Sequence, residues 1–144
     1  MRFVLLLVAV VAGCATPPAP EQKPEAKPEP APAPVSSAKE NIAVAGLMDS
    51  ARADTAAGNL AGAAASLERA LRIEPRNPRL WHELARVRLK QGQFAQAESV
   101  AARSNSWAGE DRALRAENWR LIAQAREARG DTEGAKAAVE ASNR

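Results

Sequence analysis

Three glycines set the terms on which this chain can fold. Gly58 and Gly92 stand 34 residues apart, as do Ala63 and Ala97, and Leu47 and Trp81. A third copy follows at a step of 38, from Trp81 to Trp119, Gly92 to Gly130 and Ala97 to Ala135. A period of this length is one small structural unit written repeatedly, because such a unit cannot bury its own apolar face and needs its neighbours. In WHELARVRLKQGQFAQAE, Trp81 to Glu98, apolar residues recur at helical spacing on both sides of the glycine. Each copy therefore reads as two short helices joined at a glycine. The chain is rich in alanine, lacks tyrosine and is thin in β-branched residues, which favours helix over sheet. Alanine fills little volume, so the core is expected to be modest.

Each repeated position has a physical reason. Gly58, Gly92 and Gly130 end the first helix of a pair, where the chain needs a left-handed residue. Ala63, Ala97 and Ala135 let the two helices of a pair approach closely. Trp81 and Trp119 are expected to fill the space between neighbouring pairs. Asn77 and Pro78 supply an N-cap and a first-turn proline for the third helix, and Asp131 caps the last. Ser37 and Glu40 have capping-box spacing, which predicts a first helix opening near Ala38. The longer third step is assigned to the stretch Asn105–Gly109, read as a loop carrying Trp107.

With these residues in place the pattern resembles the tetratricopeptide repeat. The middle copy is nearest, with Trp81, Leu84, Ala85, Gly92, Phe94 and Ala97 at the family's positions. The first copy fits through Gly58, Ala63, Leu67, Ala70 and Pro75, although Ser50 and Asp54 stand where larger apolar residues are usual. The third keeps Trp119, Ile122, Ala123, Gly130, Ala135 and Val139. Arg88 and Arg126 replace a common tyrosine, so looser packing is expected there. The resemblance implies an all-α solenoid of about three helix hairpins over residues 37–144. It also implies a concave groove lined by the first helix of each pair. The groove positions are Met48, Arg52 and Thr55, then Arg79, His82, Arg86, Leu89 and Lys90, then Arg120, Gln124 and Glu127.

The other end of the chain is of a different kind. MRFVLLLVAVVAGC holds one cation, Arg2, then an apolar run from Phe3 to Ala12. A bilayer span takes ~20 apolar residues, so the run matches the core of a secretory signal instead. VAGC resembles the lipobox of bacterial lipoprotein precursors. That resemblance implies cleavage after residue 13, a diacylglycerol on the thiol of Cys14 and acylation of its new amine. It also implies three acyl chains, enough for firm anchoring where a single chain holds only marginally. Ala15, in place of the aspartate that retains such proteins at the inner membrane, points to the periplasmic face of the outer membrane. Cys14 is the only cysteine, so no internal disulfide can form. Eight of the ten prolines follow between Thr16 and Val35. Residues 14–36 are thus expected to form a lipidated cysteine and a disordered, extended tether, and Ala15 to Glu40 could reach on the order of 80 Å at ~3.1 Å per residue.

Chemistry is not written into this sequence. The formal charge is +3, with acids and bases interleaved, and no basic stripe with stacking aromatics suggests nucleic acid. His82 is the only histidine, and its sequence neighbours Arg79, Glu83 and Arg86 suggest a partly exposed residue rather than a general base. No phosphate loop, nucleophile elbow or zinc spacing occurs, so no catalytic residue, metal or cofactor is expected. The expected function is a membrane-anchored adaptor that binds a periplasmic protein or peptide in its groove. The cations there favour an acidic ligand. Two alternatives stay open: a structural envelope component that self-associates, and a module that binds peptidoglycan. The last helix carries Ala135, Ala138 and Val139 with nothing beyond to cover them, which predicts a partner or self-association at that edge.

Overall fold

The computed structural model describes the backbone of residues 35–144 and the side chains of residues 42–144. The signal, Cys14 and most of the tether lie outside the described residues. Six helices follow in order: α1 Val35–Ala56, α2 Leu60–Ile73, α3 Pro78–Lys90, α4 Phe94–Trp107, α5 Arg112–Ala128 and α6 Thr132–Ser142. They pair as three antiparallel hairpins, α1/α2, α3/α4 and α5/α6, stacked side by side. Among the described residues no strand occurs, and no helix is long and apolar enough to cross a membrane.

The caps explain where the helices begin. The side chains of Asn59, Asn77, Asp111 and Asp131 each accept a hydrogen bond from a first-turn backbone N–H, those of Gly62, Arg79, Leu114 and Gly134. Pro78 occupies the first turn of α3, where its missing N–H costs nothing. The first helix departs from expectation. It begins at Val35, directly after the last tether proline, so Ser37 lies inside the helix rather than ahead of it as a cap.

The hairpin turns share one device. Gly92 has φ 73°, its N–H donates to Leu89 O at 3.0 Å, and the next N–H, of Gln93, donates to Arg88 O at 2.9 Å. Gly58 and Gly130 repeat the conformation and the bonding pattern, which satisfies carbonyls that a helix end would leave orphaned. A methyl group on Gly92 would meet no neighbour, so the cost of Gly92→Ala is purely conformational. We expect about 1 kcal/mol from the left-handed backbone alone, read as a lower urea midpoint with an unchanged slope.

The longer third step has a different origin from the one its sequence suggests. The connections Glu74–Asn77 and Ala108–Asp111 are of equal length, and α2 and α4 each have 14 residues. The four additional residues lie within α5, which has 17 residues against 13 in α3. Four residues are a little over one turn of 3.6, so the insertion nearly preserves which face meets the neighbouring hairpin. Trp107 is accordingly the last residue of α4, not a loop residue. It is partly exposed, with the Arg76 guanidinium 5.3 Å from its ring centroid.

The core runs along the seams of the stack. Ala63, Leu67, Leu80, Leu84 and Val87 belong to one buried cluster, with Trp81 packed against its edge. Ala85, Ala101, Ile122 and Ala138 belong to a second, with Trp119 against it. Trp81 also donates from Nε1 to Pro75 O at 2.8 Å and is stacked by Arg103 at 4.8 Å. Ala63 and Ala97 are fully buried between paired helices, and Ala135 nearly so. The two arginines that replace tyrosine do more than fill space. Arg88 pairs with Glu68 of α2, and Arg126 pairs with Glu98 of α4 at 2.7 Å. Each therefore ties its hairpin to the one before it.

Candidate binding groove

The first helices of hairpins one and two, α1 and α3, flank a recess of about 260 Å³. Its floor is apolar, from Met48, Ala51, Leu67 and Val87, and its rim is cationic, from Arg52, Arg86 and Lys90. Helical spacing accounts for the rim: Arg86 and Lys90 are four apart and so project from one face of α3. Glu83 is the one acid among the lining residues, which leaves the rim with a surplus of two positive charges. Arg52 contacts Asp49 at 3.0 Å and Arg86 contacts Glu83 at 3.2 Å, both pairs one turn apart on their own helix. Exposed pairs of this kind are worth about 0–1 kcal/mol, so both guanidiniums can be recruited by a competing carboxylate. Lys90 has no ion-pair partner among the described residues.

The groove positions implied by sequence do not all converge. Met48, Arg52, Thr55, Arg86 and Lys90 line this recess. Arg79 lies at the far end of α3 and reaches Asp111, the cap of α5, at 3.3 Å. Leu89 is half-buried and outside the recess, and Arg120 is exposed on α5. Gln124 and Glu127 line a separate groove at the end of the stack. Ala51, Ala56, Leu67, Glu83 and Val87 complete the recess although the implied positions omit them.

His82 needs a correction: it is buried rather than partly exposed. Its Nδ1 lies 2.8 Å from Asn118 Oδ1. Asn118 Nδ2 donates to Ser104 Oγ at 2.7 Å and to Asn105 Oδ1 at 2.9 Å, and Ser104 Oγ donates to Pro78 O at 2.8 Å. With both amide hydrogens committed, Asn118 turns its oxygen to the imidazole, so Nδ1 is the donor of that bond. The ring's Nε2 faces Glu117 Oε2 at 3.6 Å. The network joins α3, α4 and α5, which is a structural role. Its signal was present in the repeat, because Asn118 occupies the register of the core residue Leu80.

The tetratricopeptide-repeat family model matches residues 54–117. The solved globular C-terminal domain of P. aeruginosa LpoP is 48% identical to this chain, with a TM-score of 0.69. The match covers 70% of this chain and 95% of that one. This chain belongs to the tetratricopeptide-repeat family. No curated protein matches it. In this tetratricopeptide-repeat protein the recess lies between the first helices of the first two hairpins, with Leu67 of α2 in its floor. The family match begins at Asp54, so it omits most of α1, which supplies half of that recess.

Proposed function

We propose that this protein is a lipid-anchored adaptor on the periplasmic face of the outer membrane, and that its recess binds an acidic peptide segment of a protein partner. One observation carries the reading. Three cations ring an apolar floor deep enough for a side chain, and two of them are held only by exposed pairs that a ligand can replace. Arginine suits this work because its planar fork meets a carboxylate through two hydrogen bonds. Support for the location comes from the VAGC sequence at Cys14 and from the proline-rich segment that separates it from the repeats. The anchor fixes the protein to a surface, and the tether lets the repeats search the space above it.

The test uses a photo-crosslinking residue at Lys90 in the full chain, in cells, with the captured protein identified by mass. Combined Arg52→Glu and Arg86→Glu is expected to reduce that capture at least tenfold while leaving the helical content unchanged. Equal capture by the reversed protein would sink the groove reading. Co-sedimentation with purified sacculi that the reversal abolishes would instead identify peptidoglycan carboxylates as the ligand. Cys14→Ser is expected to release the protein from the membrane fraction.

A further inference from the structure

The two ends of the stack differ, and the repeat allows the residues of one to be compared with covered positions elsewhere in the stack. α3 covers the face of the first hairpin with Leu80, Leu84 and Val87 against Ala63, Ala64 and Leu67, and Arg88 reaches Glu68. α5 covers the second hairpin in the same apolar register, with Ile122 against Ala85 and Ala101. Arg126, in the register of Arg88, meets Glu98, whose register at the end holds Lys136. Advanced by 38 residues, the covered positions Ala85, Ala97 and Ala101 become Ala123, Ala135 and Val139. These three residues line an open groove of about 520 Å³ between α5 and α6. The position held by Leu67 and Ala101, exposed by 1% and 0%, is held at the end by Val139, exposed by 48%. Glu140 stands in the register of Glu68, the acid that receives Arg88.

We propose that the α5/α6 groove is a docking seat for one amphipathic helix of a partner protein, patterned like α3. Its apolar residues would occupy the registers of Leu80, Leu84 and Val87, and an arginine in the register of Arg88 would meet Glu140. Charge and shape both argue against a second copy of this chain as the occupant. At those four registers α1 presents Gly46, Ser50, Ala53 and Asp54, small or polar residues ending in an acid that would face Glu140. Asp54 is moreover engaged by Asn59 Nδ2 at 2.9 Å. Two copies of the groove brought together about a two-fold axis offer no ridge to fill each other. The seat is distinct from the α1/α3 recess, and its occupation does not depend on what that recess binds.

The test uses α3 itself as the probe: a fluorescent peptide of residues 78–91, stapled between the registers of Arg86 and Lys90, which face away from the seat. Titrated with the full chain, it is expected to give saturable anisotropy. Val139→Asp should weaken binding at least tenfold without lowering the melting temperature, since the side chain is half exposed. Glu140→Lys should weaken it several-fold, and a peptide carrying Arg88→Glu should restore binding to that variant. Arg52→Glu with Arg86→Glu should leave it unchanged, which separates this result from the groove reading. Absent binding, or binding indifferent to Val139→Asp, would overturn the proposal. So would a dimer of the full chain, in sedimentation, that Val139→Asp dissociates.

Discussion

Asn118→Ala is expected to lower the melting temperature of the repeat domain by roughly 15 °C. The substitution strands the Nδ1 hydrogen of buried His82 and removes the donor that Asn105 Oδ1 receives, while Ser104 keeps its bond to Pro78. Leaving buried polar groups unpaired costs about 1–3 kcal/mol each, so a total near 3 kcal/mol is expected. In a domain of this size 1 kcal/mol moves the midpoint by roughly 4–8 °C. Circular dichroism at 222 nm against temperature reads the effect. The repeat also supplies the control, because the register of Asn118 holds Leu80 and that of His82 holds Met48. The double variant Asn118→Leu, His82→Met replaces donor and acceptor together and should recover most of the loss. A single substitution as mild as the double would show that the network contributes little.

Leu67→Ala and Val139→Ala remove methyl groups from the same register of two hairpins and should differ sharply. Leu67 is closed in by α3 and belongs to the first core cluster, so its truncation leaves a cavity and costs about 3 kcal/mol. Val139 lies at the uncovered end, and its truncation should change stability by less than about 0.5 kcal/mol. Urea unfolding of the two variants measures the contrast. Equal losses would mean that the end of the stack is packed in solution by something other than solvent.

The hairpins were legible because their signals are local. A glycine at positive φ, an alanine at the closest approach and an asparagine or aspartate at a helix start each act within a few residues of themselves. The position of the four-residue insertion was not local in that sense. A spacing of 38 fits a longer loop or a longer helix equally well. The clue lay in Arg112–Ala128, a run with neither glycine nor proline. The burial of His82 is masked in the sequence because its neighbours are charged. Adjacent residues on a helix point to different faces, and the face of His82 is turned to α5, where Asn118 waits. The recess was half legible. Arg86 and Lys90 share a face of α3 and could be read from spacing. The separation of Arg79 from them follows from the length of the helix and from the cap of α5 at its far end.

The placement of the indoles has an optical consequence. With three tryptophans and no tyrosine, the emission of this chain on excitation beyond the phenylalanine band comes from Trp81, Trp107 and Trp119 alone. Trp81 lies over the seam between the first two hairpins and Trp119 over the seam between the last two. A stack that comes apart from one side must therefore disturb one of these emitters before the other. The protein carries built-in reporters of the direction in which it unzips.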